Sequence, residues 1–137
     1  MGNQSGANAA FAEVELLHRA DADFAQAKTQ YSLGMQRLGK GDLRAAREDF
    51  GRALAIKPDF PEAHTNLGGV LLTLGETESA IGQFRAAIDL QPDDARAYFN
   101  LALALEKKGD TVNSQKARQR ALALDPRVAE SGSTPHP

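Results

Sequence analysis

The stretch "AIKPDFPEAHTNLG", residues 55–68, decides the fold of this chain. It contains two prolines three residues apart, Pro58 and Pro61, and the sequence on either side has helical character. The residue before a proline is pushed out of the helical conformation, whereas a proline in the first turn of a helix costs nothing. We therefore interpret Pro58 as the stop of one helix and Pro61 as the start of the next.

The proline that ends a helix recurs along the chain with a fixed period. Pro58, Pro92 and Pro126 are each 34 positions apart. Three further sets keep this spacing: Gly41, Gly75 and Gly109; Leu33, Leu67 and Leu101; and Ala53, Ala87 and Ala121. A fixed period in this range is typical of a solenoid of stacked repeats. A plain helical bundle with accidental symmetry is the alternative.

Each unit predicts two helices joined by a turn. In the second unit, apolar residues recur at three- and four-residue steps up to Leu74, and Gly75 can supply the positive φ that ends a helix. Thr77 is the expected N-cap of the next helix, which Pro92 stops. Small residues mark the expected close approach of the two helices: Gly34, Gly68 and Ala102 in the first helices, and Ala46, Ala80 and Ser114 in the second.

The three units, residues 27–60, 61–94 and 95–128, resemble consecutive tetratricopeptide repeats. The second unit follows that family's pattern at His64, Leu67, Gly68, Leu71, Ala80, Phe84, Ala87 and Pro92. The resemblance covers about three quarters of the 137 residues. It implies an all-α fold, an α-α superhelix of three helix-turn-helix repeats with a concave, ligand-binding face.

Two of the units depart from the family pattern. In the first, Gln30 and Arg37 stand at core positions, so we expect its outer helix to be less tightly packed or covered by something else. In the third, Ser114 and Arg118 replace an alanine and an aromatic residue, within the polar stretch 113–120. Terminal repeats need a polar outer face, so we expect the array to end here. A decayed repeat from a longer array is the alternative.

The segments that flank the repeats carry their own expectations. Residues 1–26 contain apolar side chains at helical spacing, among them Leu16, Ala20 and Phe24. The stretch "DFAQA" at 23–27 echoes "DFPEA" at 59–63. We expect residues 9–22 to form an extra N-terminal helix that caps the first repeat, with a dimerisation helix as the alternative. Residues 129–137 are expected to be a disordered tail.

The family resemblance also implies where a ligand binds, because the first helix of each hairpin lines the concave face in that family. The expected peptide-binding groove comprises Tyr31, Met35, Glu62, Thr65, Asn66, Gly69, Arg96, Phe99, Asn100 and Leu103. An apolar floor would come from the aromatic residues with Met35 and Leu103, and the two asparagines would hold the backbone of an extended peptide. A purely scaffolding role for those asparagines is the alternative. The carboxylate clamp of some family members is not expected, because Tyr31 and Met35 occupy its first-repeat positions.

Composition excludes several other classes of protein. A formal net charge of -2 argues against a nucleic-acid binder. The longest near-apolar run, residues 67–74, is far too short for membrane insertion, and the first residues lack the features of a signal peptide. We therefore expect a soluble, cytoplasmic protein. The absence of cysteine excludes thiolate metal sites.

No catalytic constellation is recognisable, so we expect neither an enzyme nor a cofactor or metal site. His18, His64 and His136 bear no relation to one another or to a carboxylate pair, and His64 is expected to be a packed core residue.

Charge alternates along the array, with net values of -3 for residues 1–26, +3, -5 and +4 for the three units, and -1 for the tail. These blocks are expected to pair neighbouring repeats, although head-to-tail association between molecules would use them too. The sequence thus favours a protein-interaction adaptor that binds a peptide or short helix of another protein. The alternative is a self-associating module in which the ends or the N-terminal helix drive formation of a homo-oligomer.

Overall fold

The structure of the protein is a computed structural model that describes residues 3–131. Within this range the chain is all α, as predicted. Its helices are α1 (Asn3–Gly39), α2 (Leu43–Ile56), α3 (Pro61–Thr73), α4 (Thr77–Leu90), α5 (Ala95–Lys108), α6 (Thr111–Leu124) and α7 (Val128–Ser131).

The helices form three stacked hairpins. The C-terminal part of α1 pairs with α2, α3 with α4, and α5 with α6, while α2 contacts α3 and α4 contacts α5. Helices α3 and α5 begin at Pro61 and Ala95, the first residues of the second and third units of the sequence pattern. The predicted solenoid of helical hairpins is confirmed.

A glycine closes the first helix of every hairpin. Gly41, Gly75 and Gly109 have φ angles of 78°, 84° and 91°, a conformation that an L side chain rarely adopts. The residue after each glycine donates its N–H to the carbonyl five positions earlier, as Asp42 does to Arg37 at 2.9 Å. This is the hydrogen-bond pattern by which a left-handed residue ends a helix.

Carboxylates cap the starts of three helices. The side chains of Asp42, Asp94 and Asp110 accept hydrogen bonds from backbone N–H groups in the first turns of α2, α5 and α6. The expectation that Thr77 caps α4 is wrong, because Thr77 is itself the first helical residue. Glu76 occupies the N-cap position without a side-chain hydrogen bond to the helix.

The small residues in the first helices make room for an aromatic ring from the second. A Cβ added to Gly34 would lie 2.7 Å from the Phe50 ring, and one added to Gly68 would lie 2.5 Å from the Phe84 ring. Both rings are completely buried. The third unit has Ala102 at the matching position, where α6 supplies Arg118 in place of a phenylalanine. The larger residue therefore occurs where no ring has to be accommodated.

The first unit replaces an apolar contact by an ion pair whose carboxylate is buried. Asp49 of α2 is 1% exposed, and its Oδ2 lies 3.1 Å from Nε of Arg37 on α1, while its Oδ1 lies 3.4 Å from Nη1 of Arg52. The third unit has Leu105 and Ala117 at the positions of Arg37 and Asp49. Arg37 at one core position of the first unit is thus paired with the Asp49 carboxylate at the facing position. Gln30 is half-buried, and its side-chain oxygen accepts no hydrogen bond within residues 3–131.

The N-terminal segment differs from the expectation. Residues 9–22 are helical, but they do not form a separate capping helix, because α1 runs without a break from Asn3 to Gly39. No proline or positive-φ glycine interrupts it. Residues 4–26 are exposed along their whole length, and Ala27 is the first buried residue of α1. The segment therefore extends away from the array instead of packing on the first repeat.

The C-terminal segment also differs in part. Residues 129–131, expected to belong to a disordered tail, lie in α7, whose first residue, Val128, is buried against the last hairpin. The rest of that expected tail, residues 132–137, lies outside the described residues.

Ion pairs connect the acidic middle unit to both of its basic neighbours. Arg47 of α2 pairs with Glu76, and Lys108 of α5 lies 2.7 Å from Glu78. The alternating charge blocks therefore meet across the boundaries between repeats, as the sequence indicated. No helix in the described part of the chain has the length and apolar character needed to cross a bilayer.

Candidate functional site

Side chains from three different helices converge on one pocket. Tyr31 comes from α1, Glu62, Thr65 and Asn66 from α3, and Arg96 from α5, and together with Asp94 they line a cavity of about 100 Å³. Five of the ten residues expected in the groove thus meet at one place. Their convergence follows from the repeat, because equivalent positions of successive first helices lie side by side when hairpins stack.

Tyr31 connects this pocket to the core. Its ring lies 5.0 Å from the Phe60 ring and 5.6 Å from the buried Phe50 ring, measured between centroids, so packing restricts its orientation. Its hydroxyl accepts a hydrogen bond of 2.8 Å from the side-chain amide of Asn66. The same amide nitrogen lies 3.5 Å from Sδ of Met35, which brings a sixth expected residue to the edge of the pocket.

The hydroxyl of Tyr31 keeps a proton that it can donate. Burial, together with the neighbouring Glu62 carboxylate, raises the pKa of this phenol above its ordinary value. The group is therefore neutral near pH 7 and accepts from Asn66 while its own O–H remains a donor. A carbonyl oxygen of a bound peptide is a suitable acceptor for that proton.

Charged groups surround the pocket. Glu62 and Arg96 are exposed at its margin. Asp94 is committed in part to the backbone, because its side chain accepts from the N–H groups of Arg96 at 3.0 Å and Ala97 at 3.4 Å. Thr65 donates its hydroxyl to the carbonyl of Pro61 in its own helix at 3.1 Å. The groups left for a ligand include the Tyr31 hydroxyl, the side-chain oxygen of Asn66 and the side chains of Glu62 and Arg96.

The remaining expected groove residues, Gly69, Phe99, Asn100 and Leu103, do not line this pocket. Phe99 is half-buried, and the guanidinium of Arg118 lies 5.7 Å from its ring centroid. Leu103 stays exposed. A Cβ built on Gly69 meets no atom within 4 Å, so the space beside α3 at this point is open. These residues extend the candidate site along α3 and α5.

A neighbouring apolar pocket was not expected from the sequence. It has a volume of about 340 Å³, shares Tyr31 and Glu62 with the first pocket, and adds Phe24, Lys28, Lys57, Asp59, Phe60 and Pro61. The echo between "DFAQA" and "DFPEA" was the signal that could have found it. That echo pairs Phe24, which lies within α1, with Phe60, which precedes α3, and the fold brings both to the same pocket.

His64 has a structural role. Its Nδ1 lies 2.7 Å from Oε1 of Gln83, and its Nε2 lies 2.7 Å from the carbonyl oxygen of Pro58. It therefore joins α4 to the turn between the first two units. Within residues 3–131, no group of three or more histidine or carboxylate side chains is arranged to hold a metal ion.

Family profiles match most of the chain. Residues 34–75 and 70–109 match a profile described as TPR repeat, and residues 95–128 match one described as tetratricopeptide repeat. No curated protein sequence matches significantly.

Several solved structures share the fold. The crystal structure of MamA aligns with a TM-score of 0.71 at 29% identity, over 78% of this chain and 63% of that chain. MamA 41-end from Desulfovibrio magneticus RS-1 aligns with a TM-score of 0.70 at 30% identity, over 74% and 57%. The first TPR of Spaghetti (RPAP3), bound to the HSP90 peptide SRMEEVD, aligns with a TM-score of 0.73 at 17% identity, over 80% and 95%. The chain therefore spans less than two thirds of each of these two MamA chains.

Proposed function

This chain belongs to the tetratricopeptide repeat family, and from that membership we propose that it is a non-enzymatic adaptor that binds a peptide or short helix of another protein in its concave groove. The observation that carries the proposal is the hydrogen bond between Asn66 and Tyr31, which joins two repeats at the floor of a pocket. A repeat domain of the same fold, the first TPR of Spaghetti (RPAP3), has been solved with a peptide bound. That precedent supports the mode of binding.

The two adjoining pockets suggest which features of a segment would be recognised. The polar pocket offers the Tyr31 hydroxyl as a donor to a backbone carbonyl, with Arg96 as a partner for an acidic group. The apolar pocket next to it accommodates one large side chain against Phe24 and Phe60. Because Tyr31 lines both pockets, a peptide segment that binds across Tyr31 should carry a large apolar residue and an acidic residue within a few positions of each other. Pre-organised side chains of this kind reduce the entropic cost of binding.

The proposal is tested with the full chain and a library of random peptides. Peptides selected on the native chain should lose about tenfold or more in affinity for the variant Asn66→Ala with Arg96→Ala, which removes about 1.4 kcal/mol or more of binding free energy. Fluorescence anisotropy with labelled peptides measures the loss, and circular dichroism confirms that the variant is folded.

Gln115→Ala is the matched control, because Gln115 is exposed on α6, away from both pockets. Its affinity should equal that of the native chain. Peptides that bind the groove variant as tightly as the native chain would place binding on another surface and refute the assignment of the groove.

A further inference from the structure

The N-terminal part of α1, residues 4–26, leaves large apolar side chains in solvent. Phe11 is 76% exposed, Leu16 64% and Phe24 44%, and no residue of this segment is buried. An isolated helix gains little stability without tertiary packing of its apolar face. Exposed apolar surface that recurs along one element marks a site of association. The segment therefore has the properties of a helix that packs against something.

Its apolar stripe continues the face by which α1 joins the array. Leu16, Ala20 and Phe24 are four residues apart, so they lie on one side of the helix. The same side leads on to Ala27, which is buried against the repeats, and Tyr31 of the groove. Helix α2, the partner of α1 in the array, ends at residue 56 beside Phe24. The stripe beyond Phe24 therefore has no neighbour within the described part of the chain.

The two ends of this stripe carry opposite charges. At one end, the Nζ atoms of Lys28 and Lys57 lie 5.5 Å and 5.1 Å from the centroid of the Phe24 ring. At the other end, Glu13 lies three residues before Leu16, which places its carboxylate on the same side of the helix. Glu13 at one end, and two lysines that outnumber the neighbouring Asp23 at the other, make the stripe complementary to a reversed copy of itself.

We propose that two copies of this chain associate through their N-terminal segments, packed antiparallel around a two-fold axis at Ala20. Residues equally distant from Ala20 then face each other, so Leu16 of one copy packs on Phe24 of the other, twice. Glu13 of each copy faces the turn of the other that carries Lys28, near Lys57. The small Ala20 lets the two helices approach closely at the crossing point.

The length of the segment sets the strength of this association. With the axis at Ala20, residues 14–26 of the two segments face each other over about 20 Å of helix, which places the contact at or below the lower limit of about 1,000 Å² for specific interfaces. The dimer should therefore be in concentration-dependent equilibrium with the monomer. Phe24, Lys28 and Lys57 also line the apolar pocket, so the association shares that part of the proposed peptide-binding surface, whereas Asn66 and Arg96 lie outside the dimer contact.

The first test is sedimentation velocity on the full chain over a wide range of concentrations. The native chain should shift towards a dimer as its concentration rises, and Leu16→Glu should weaken the association about tenfold or more, because it places a carboxylate in the apolar stripe. Leu122→Glu is the matched control, since Leu122 is an exposed leucine, 38% accessible, on α6. A native chain that stays monomeric, or a dimer that survives Leu16→Glu, would overturn the proposal.

The second test uses the absence of cysteine from the sequence. A disulfide needs Cα atoms roughly 4.4–6.8 Å apart, a separation that two helices reach only where they touch. Ala20→Cys should therefore form covalent dimers under mild oxidation, whereas Arg19→Cys, about a third of a turn away, should not. Equal cross-linking of both variants would contradict the antiparallel arrangement.

Charge exchange tests the ends of the interface. Glu13→Lys should weaken the dimer by placing lysines opposite one another, and the double variant Glu13→Lys with Lys28→Glu should restore it. Failure of the second change to restore association would rule out the proposed pairing. The groove variant Asn66→Ala with Arg96→Ala should dimerise like the native chain, so that loss of peptide binding and loss of association are separable.

Discussion

Gly68 and Gly69 are adjacent residues of α3 for which replacement by alanine should have different effects on stability. A Cβ at position 68 would lie 2.5 Å from Cε1 of Phe84, closer than packed carbon atoms approach each other, whereas a Cβ at position 69 would meet no atom within 4 Å. Phe84 is completely buried, so its ring has no free space into which to move. Both glycines lie inside the helix, and neither has a positive φ.

The size of each effect follows from two terms. Replacing glycine by alanine inside a helix stabilises it by about 1 kcal/mol, because alanine loses less backbone entropy. Position 69 should show this gain alone. At position 68 the added methyl group overfills a packed core, which costs about 1–3 kcal/mol and cancels or exceeds the gain. The free energies of unfolding of the two variants should therefore differ by about 1–3 kcal/mol, with Gly69→Ala the more stable.

Urea unfolding followed by circular dichroism measures the difference. The double variant Gly68→Ala with Phe84→Leu provides the internal control, since removing the ring should recover part of the cost of the methyl group and give a coupling energy of roughly 0.5–3 kcal/mol. If Gly68→Ala were as stable as Gly69→Ala, the close packing of Gly68 on Phe84 would be refuted as the reason for glycine at this position.

Two further predictions concern the first unit. Arg37→Leu should destabilise the fold by about 1–3 kcal/mol in urea unfolding, because it takes one of two cations from the buried Asp49. Adding Asp49→Ala should recover most of the lost free energy of unfolding, because the third unit already has this apolar pair. No recovery would show that the unpaired carboxylate is not the cause of the loss. Because the pKa of Tyr31 is raised in the folded state, its contribution to stability should be complete below about pH 10 and fall as the pH rises through the folded-state pKa. The phenolate absorbance should contain a component above the ordinary range that Tyr31→Phe removes, and a single ordinary titration in the native chain would contradict the burial of this phenol.

The helical hairpins could be predicted from the sequence because their signals are local and repeated. Pro58 after α2 and Gly75 after α3 act through their own backbone geometry, and the period of 34 residues supplies each of these signals three times. The sequence does not distinguish Glu76 from Thr77 as the N-cap of α4, because several neighbouring residues can fill that role and the choice depends on where the folded helix begins.

Fewer features of the candidate site than of the fold could be predicted from the sequence. The family pattern placed Tyr31, Asn66 and Arg96 on the concave face, and the structure brings them to one pocket. It could not indicate that the Asn66 amide is held by the Tyr31 hydroxyl, because the two residues are 35 positions apart and the contact depends on how the repeats stack. The unbroken continuation of α1 could not be predicted for a related reason. Helical spacing shows which side of a segment is apolar, but not whether the segment folds back.

The ion pairs on the middle unit limit how this array could change its length. Repeat proteins grow by tandem duplication, since each unit contacts only its neighbours. A duplicated second unit would place Ile81 at the position of Arg47 and Leu74 at that of Lys108. The carboxylates of Glu76 and Glu78 would then each face an apolar side chain at the new boundary. The three units are therefore not interchangeable, because the ion pairs between neighbouring repeats form only when the units stand in this order.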